Sequence, residues 1–329
     1  MRKRKSIIVI LFICSTVLFG FTISSLIQIF RYDLLAPDEF NHEQTPIYRL
    51  VLITRELDTP FWNDVEKGAQ AAANDFEVEL SVWGSYGTNQ VDFLRKMEIA
   101  IASKVDGIIV QGLDHDEFNK LTTIKAAGNG IPIFTIANDV PINKSLRRTY
   151  IGSDHERAGQ LLGVQLRADI GSGHSAKVVL MLSDQEEDFQ KKRLAGIISE
   201  LNKEPHIEPL LVTAGNTREE VIAATNDIMN REPQLDAFVS ITANHTSAMV
   251  QEISKRARLQ DYHLYSFDDS SESIMLLEEG KLSGMIRQSP EEMGYISVEK
   301  MVQWLKREVF PVDTNGYFTN IRLLKAEGR

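Results

Sequence analysis

Short apolar runs rich in β-branched residues alternate with longer amphipathic segments along most of this chain. Seven runs have the composition of buried strands, at 49–54, 78–83, 106–111, 131–136, 176–182, 236–241 and 262–267. Apolar residues recur at helical spacing over eight further segments, at 61–76, 89–103, 116–128, 155–170, 188–202, 217–230, 244–259 and 289–307. Repeated strand–helix–strand units predict parallel sheets covered by helices on both faces. Two series of such units, with a break near 150–154, predict two doubly wound α/β lobes.

The N-terminus carries a different pattern. Four basic residues at 2–5 precede the stretch 6–30, which contains no charged side chain. A spanning helix needs about 20 mostly apolar residues to cross about 30 Å of hydrocarbon. The run is longer than the core of a cleaved signal peptide, and no small-x-small cleavage site follows it. We therefore predict a cytoplasmic segment at 1–5, an uncleaved transmembrane anchor at 6–30 and a polar linker at 31–46. The protein would cross the cell membrane once, with its body on the extracytoplasmic side.

Composition and missing motifs exclude several classes of function. A formal net charge of −10 excludes general affinity for nucleic acid, which needs a basic face. The single cysteine, Cys14, excludes a disulfide framework and a cysteine zinc site. The seven histidines are scattered, and the sequence has no GxGxxG, GxxxxGK, HExxH or GxSxG motif. We therefore expect a protein that is not an enzyme and that needs no cofactor or metal ion.

Polar and aromatic residues follow the predicted strands directly. In open parallel sheets, ligands bind at the carboxyl ends of the strands. The residues at those ends are 58–62, 111–114 and 137–139 in the first half, 183–189, 243–245 and 268–269 in the second, and 287–288 at the return crossing. Aromatic faces suit the C–H faces of a sugar, while amides and carboxylates suit pairs of hydroxyl groups.

Nine segments in order resemble periplasmic sugar-binding proteins of the ribose-binding type, within the LacI/type I periplasmic-binding family. They are TPFWNDVEKGAQAAA, DGIIVQGLD, GIPIFTIANDV, IGSDHERAGQLLG, QKKRLAGI, FVSITANHTSAM, YSFDDSSES, MIRQSPEEMGYISVE and VDTNGYFTNIRLL. The resemblance covers roughly 48–324 and implies the type I periplasmic-binding fold, two Rossmann-like lobes joined by a three-stranded hinge. Lobe one would be 47–152 with 288–311, and lobe two 153–287 with 312–329. Ligand would bind between the lobes and close the hinge.

The resemblance also implies ligand contacts. The nine positions are Thr59, Phe61, Trp62, Gln111, Asn138, Lys191, Asn244, Asp268 and Gln288. Arg193 matches a second arginine of the family pattern. Four positions depart from that pattern. Thr59 replaces an asparagine, Ala137 replaces an aspartate, Asn138 replaces an arginine, and His245 replaces an aspartate. The hydrogen-bonding set is therefore changed, and ribose is not implied as the ligand.

Several of these positions have a structural alternative. Phe61 and Trp62 suit the core side of a first helical turn as well as a stacking surface. Asp268 suits the N-cap of a following helix, and Gln288 suits packing at the hinge. Lys191, in QKKR, is equally typical of a solvated helix face.

The sequence thus predicts a membrane-anchored extracytoplasmic receptor for a monosaccharide. Its partner would be a sensor histidine kinase, if it signals, or an ABC permease, if it delivers the sugar for transport. A LacI-type transcription regulator is a second class, but it needs a helix-turn-helix within 1–60, where this chain has the apolar run. A sugar-active hydrolase or isomerase is a third class, with Asp268 or Asp154 as its base.

Overall fold

The computed structural model describes residues 15–16, 18–20, 22, 48–57, 59–86, 89–184, 187–256, 262–268 and 270–326. The segments predicted at 1–5 and 31–46 lie outside these residues, as does most of the anchor predicted at 6–30. No helix among the described residues is long and apolar enough to cross a membrane. The chain divides into one unit up to Ile47 and another from Tyr48 to Arg329. The second unit holds the fold described below.

Two six-stranded sheets form the centre of this unit. The first contains β1 (Arg49–Thr54), β2 (Glu79–Gly84), β3 (Gly107–Gln111), β4 (Ile133–Ile136), β5 (Thr149–Ser153) and β11 (Tyr317–Thr319). The second contains β6 (Ala176–Ser183), β7 (Ile207–Ala214), β8 (Ala237–Ser240), β9 (His263–Phe267), β10 (Gly284–Arg287) and β12 (Arg322–Lys325). The orders are β11-β5-β4-β3-β1-β2 and β12-β10-β9-β8-β6-β7. The pairings in these orders are parallel except for β12, which is antiparallel to β10.

Helices connect the strands and cover the sheets. They are α1 (Pro60–Asp75), α2 (Gln90–Ala102), α3 (Asp116–Lys120), α4 (Ile142–Ser145), α5 (His155–Ile170), α6 (Asp188–Leu201), α7 (Arg218–Arg231), α8 (Ala243–Lys255), α9 (Ser271–Glu278) and α10 (Pro290–Leu305). The helix predicted at 116–128 is instead α3 followed by a π-helical segment, Leu121–Ala126. Local chemistry explains where α1 begins, because the Thr59 hydroxyl accepts a hydrogen bond from the Trp62 N–H and Pro60 occupies the first turn.

Each sheet is buried on both faces, as parallel sheets require. In β1, Leu50 and Leu52 face α1 and α10, whereas Val51 and Ile53 face α2 and α3. The second sheet is covered in the same way by α5 and α6 on one face and by α7, α8 and α9 on the other. This burial on two sides is the reason that the central strands are continuous apolar runs.

The two sheets define two lobes, and the chain passes between them three times. The crossings follow β5, β10 and β11. The assignment of 312–329 to lobe two is therefore corrected, because β11 pairs with β5 in the first sheet, with Tyr317 opposite Ile151. Of the two strands in this tail, only β12 extends the second sheet. The boundary falls between Thr319 and Arg322, since each tail strand pairs with the free edge of a different sheet.

Helices α5 and α6 pack unusually closely, and this contact positions the site. A Cβ atom on Gly159 would lie 2.1 Å from the carbonyl oxygen of Arg193, and one on Gly196 would lie 2.1 Å from that of Glu156. Only glycine at these positions lets the two backbones approach so closely. As a result Arg193, on α6, lies beside the first turn of α5.

Candidate functional site

A cavity of about 320 Å³ lies between the lobes, at the carboxyl ends of strands from both sheets. Its size is near the lower end of the range of about 300–1,000 Å³ that is usual for small-molecule sites. Lobe one and the hinge contribute Glu56, Thr59, Pro60, Phe61, Trp62, Gln111, Ala137, Asn138 and Gln288. Lobe two contributes His155, Phe189, Arg193, Ala243, Asn244, Asp268 and Ser270. The wall therefore combines aromatic rings, amides, carboxylates and one guanidinium.

The structure brings together on this wall eight of the nine residues predicted from the sequence. They are Thr59, Phe61, Trp62, Gln111, Asn138, Asn244, Asp268 and Gln288. Lys191 is not among the lining residues, since it lies on the exposed face of α6. Arg193, two positions further along, takes its place on the wall because residues two apart on a helix point in different directions. Ligand contact by the eight residues remains a prediction.

The central polar feature of the site is an ion pair between Arg193 and Asp268. Arg193 is only 2% exposed. Its Nη1 and Nη2 atoms each donate to one carboxylate oxygen of Asp268, both at 2.9 Å, and Nη1 also donates to the Ile241 carbonyl at 2.8 Å. The guanidinium lies over the rings of Phe189 and Phe267, 4.9 and 4.5 Å from their centroids. A carboxylate oxygen has two lone pairs, so Asp268 keeps acceptor capacity toward the cavity.

Asp268 is held by its backbone and by the hinge. It directly follows β9 and has a φ of 69°, a left-handed conformation that aspartate tolerates better than most residues. Gln288 donates from Nε2 to Asp268 Oδ1, and Ser153 donates to Gln288 Oε1 at 2.7 Å. The N-cap of α9 is Ser270, not Asp268, since the Ser270 hydroxyl accepts from the Ser273 N–H at 3.1 Å. The carboxylate of Asp268 is thus directed to the cleft.

Phe61 and Trp62 belong both to the core and to the cavity wall. Trp62 is 7% exposed and is part of the core between the first sheet, α1 and α10. Phe61 is half-buried against it, with the ring centroids 5.3 Å apart in an edge-to-face arrangement. Since both rings line the cavity, the structural and the stacking interpretations of this pair are compatible.

His155 is a buried residue of the site that the sequence analysis missed. Arg193 Nε donates to its Nδ1 at 3.4 Å, and its Nε2 lies 3.1 Å from the carbonyl oxygen of Ala137 in lobe one. Because a carbonyl only accepts, Nε2 carries the proton. Because a guanidinium N–H only donates, Nδ1 carries none, and the ring is neutral. Burial, together with the positive charge of Arg193, lowers the pKa of His155 to about 3. A single histidine has no sequence pattern that would have marked this role.

The electrostatics of the wall favour an uncharged ligand. Among the described lining residues, Glu56 and Asp268 are acidic and Arg193 is the one strong base. The guanidinium of Arg193 is already bonded to Asp268 and to a carbonyl. The described residues also contain no group of three or more His, Cys, Asp or Glu side chains that could hold a metal ion.

Two doubly wound lobes that enclose a small polar cavity between their strand ends define a two-lobed ligand-binding protein. A family model described as a periplasmic binding protein domain matches residues 50–308. The chain therefore belongs to the periplasmic binding protein domain family, and the resemblance seen in the sequence is confirmed.

Solved structures and a characterised protein are similar to this chain to different extents. The crystal structure of GanP, a glucose-galactose binding protein from Geobacillus stearothermophilus, has 30% identity and a TM-score of 0.78, and the match covers 86% of this chain and 98% of that one. The XylFII–LytSN complex has 23% identity and a TM-score of 0.73, covers 85% and 98%, and shows the same fold. The xylose/arabinose-binding protein XylF of Sulfolobus acidocaldarius is 24% identical over 212 residues, 62% of this chain and 52% of XylF. The chain thus spans about half the length of that relative.

Proposed function

We propose that this protein is an extracytoplasmic receptor that binds a neutral monosaccharide in the cleft between its lobes. The observation that carries the proposal is the Arg193–Asp268 pair, which presents fixed acceptors to a cavity with amides and aromatic rings on its other walls. Carboxylate oxygens that are held in place accept strong hydrogen bonds from hydroxyl groups. GanP, a glucose-galactose binding protein, and XylF, a xylose/arabinose-binding protein, support a sugar as the ligand.

The charge of the wall supports a neutral sugar over a phosphorylated or acidic one. A phosphate or carboxylate ligand would have to approach Glu56 and Asp268, while the guanidinium of Arg193 is already hydrogen-bonded to Asp268. Placing an anion in this partly buried site without a free partner costs free energy. Neutral hydroxyl groups cost much less to bury, and hydrogen bonds to the amides and carboxylates of the wall offset that cost.

The test is thermal unfolding of the purified full chain against a matched panel of compounds. D-glucose, D-galactose, D-xylose, L-arabinose, D-ribose and D-allose are compared with D-glucuronate and D-glucose 6-phosphate. A ligand at 100 times its dissociation constant adds about 2.7 kcal/mol to the free energy of unfolding. We expect at least one neutral sugar to raise the midpoint in the parent and much less in Asp268→Asn. No shift with any compound, or a shift with the anionic compounds alone, would contradict the proposal.

An enzymatic role for the two candidate bases has no support in their surroundings. Asp268 is engaged by Arg193 and Gln288. Asp154 caps α5 by accepting from the Arg157 N–H at 2.9 Å and is not a lining residue. We therefore propose binding without catalysis. The LacI-type alternative is not favoured either, because the described residues between 48 and 60 are β1 and the start of α1.

We further propose that residues 6–30 anchor the receptor in the cell membrane, with a sensor histidine kinase or an ABC permease as its partner. The basic block followed by a charge-free run supports the anchor. The XylFII–LytSN complex supports a protein partner for this fold. Purification of the full chain from membranes with its bound proteins tests both points. A kinase without a permease would support signalling, a permease without a kinase would support transport, and recovery only in the soluble fraction would refute the anchor.

A further inference from the structure

Glu187, at the start of α6 in lobe two, extends its side chain across the cleft to lobe one. Its Oε1 lies 2.5 Å from Nη1 of Arg55, and its Oε2 accepts from Nδ2 of Asn138 at 2.6 Å. Although Glu187 is the N-cap residue of α6, its carboxylate makes no capping hydrogen bond. The carboxylate is instead committed to two residues of the other lobe.

The bridge is shielded from solvent. The Arg55 and Glu187 side chains are 12% and 14% exposed. Exposed ion pairs contribute little because water and salt screen them, whereas a shielded pair with a second, charge-assisted hydrogen bond contributes more. These contacts join residues of different lobes, so they can form only when the lobes are close together.

The same carboxylate determines how Asn138 faces the cavity. The amide nitrogen of Asn138 donates to Glu187 and also to the Gly112 carbonyl, at 3.1 Å. Since both partners only accept, they fix which end of the amide is the nitrogen and use both of its hydrogens. Asn138 Oδ1 is buried and has no hydrogen-bond partner among the described residues. Asn138 lines the cavity, and Glu187 and Gly112 together fix the orientation of its amide there.

Arg55 makes the complementary arrangement at Gln111. The Arg55 N–H donates to Gln111 Oε1 at 2.9 Å. The amide oxygen of Gln111 is thereby engaged, and its NH₂ group is the end left for the cavity. The contacts of Glu187 and Arg55 thus fix the amide orientations of two cavity-lining residues, Asn138 and Gln111.

We infer that Glu187 is a positioning residue of the cleft, which holds lobe two against lobe one through Arg55 and fixes the orientation of the Asn138 amide on the cavity wall. An effect of that orientation on a ligand rests on the proposed function, but the holding of the lobes does not. Glu187 itself is outside the set of lining residues. It would act on binding through Asn138 and through closure.

The test measures lobe separation in the full chain without any ligand, so that it does not depend on sugar binding. Cys14 is the only cysteine, and Cys14→Ser leaves a background for two spin labels. Val91→Cys on α2 and Glu219→Cys on α7 place them on exposed residues, one in each lobe. Pulsed electron–electron double resonance gives the distribution of distances between the labels. A control, Asp188→Ala, removes the same charge at the next position, where Asp188 forms an ion pair within its own helix, with Lys192 at 2.7 Å.

We expect a short-distance, closed population in the parent and the same proportion of it in Asp188→Ala. Glu187→Ala should raise the ratio of open to closed molecules about tenfold or more, the equivalent of one charge-assisted hydrogen bond, and Arg55→Gln should do the same. An unchanged distribution in Glu187→Ala overturns the inference, and so does a parent with no short-distance population. Absence of sugar binding in the separate thermal assay would leave this result intact.

A second measurement, by NMR, reports on the orientation of the Asn138 amide and not on the fold. The protein is labelled with ¹⁵N-asparagine, and the side-chain NH₂ signals of Asn138 are identified by their loss in Asn138→Asp. Glu187→Gln should move these signals because it removes the charged acceptor. Asp188→Asn should leave them in place. Signals that do not move in Glu187→Gln would overturn the positioning of Asn138.

Discussion

Lowering the pH from 7 to 5 should cost this protein about 2 kcal/mol of stability through a single side chain, His155. The pKa of the buried imidazole is about 3, against an ordinary value of 6.5 that applies to the unfolded chain. Between these two values the unfolded chain binds a proton that the folded protein does not bind. The stability that the neutral His155 contributes is therefore complete above pH 6.5 and is lost progressively as the pH falls toward 3. From 6.5 to 5 the decline is 1.5 pH units, at about 1.36 kcal/mol for each unit.

The structure shows why the folded protein resists this proton. Nδ1 of His155 is the acceptor for the Nε–H of Arg193. Protonation would turn this acceptor into a donor and would place two positive charges side by side in a buried site. Arg193 would then have to move, and its pair with Asp268 would be disturbed.

Urea denaturation of the full chain at pH 7 and pH 5 tests this reasoning, with the parent compared with His155→Gln. The comparison removes the contributions of other groups, including His245, whose pKa is also lowered by burial. Glutamine keeps an amide donor for the Ala137 carbonyl but does not titrate. The parent should lose about 2 kcal/mol more than the variant between the two pH values. An equal loss in both proteins would refute the assignment of a neutral, buried His155.

Three further changes test the site, the packing and the anchor. Asp268→Asn should weaken binding of the sugar found in the thermal screen by about 10- to 100-fold, as measured by calorimetry. Lys191→Ala should leave the affinity unchanged, and equal losses in the two variants would contradict the placement of Lys191 outside the wall. Gly159→Ala would put a Cβ atom 2.1 Å from the Arg193 carbonyl and should lower the free energy of unfolding by about 1–3 kcal/mol; an unchanged urea midpoint would argue against the close helix contact. If residues 6–30 anchor the protein, an alkaline wash should leave the full chain in the membrane pellet. Release of the chain into the supernatant would contradict the anchor.

Position in the sheet accounts for part of the difference between the strands found from the sequence and those it missed, although β5 and β10 were missed and lie inside their sheets. The central strands, such as β3 and β8, are buried on both faces and are therefore apolar runs that composition alone reveals. The missed strands are β5, β7, β10, β11 and β12. β7 is an edge strand with a proline and alternating exposure, and β11 has only three residues. Such segments become strands because a neighbouring strand offers its edge, which local composition does not encode.

The site shows the same division. Residues that follow a central strand, such as Gln111, Asn138 and Asp268, could be found because the carboxyl ends of parallel strands converge. Lys191 and Arg193 lie in one helical turn, and only the direction of the helix decides which of them faces the cleft. Glu187 lies within the strand-end stretch 183–189, but its partners Arg55 and Asn138 are far away in the chain, so its role in the bridge could not be predicted locally. The same holds for His155, whose contacts with Arg193 and Ala137 depend on the tertiary structure.

The amino-acid sequence was sufficient to predict the α/β class, the two series of strand–helix units and eight residues of the cavity wall, because periodicity and the position of residues after strands are local properties. The tertiary structure was needed to assign the division of the tail between the lobes, the Arg193–Asp268 pair, the neutral His155 and the Glu187 bridge. Each of these depends on the close approach of groups distant in the chain. Hydrogen bonds and pKa values respond to separations of a few ångströms, and only packing sets those separations.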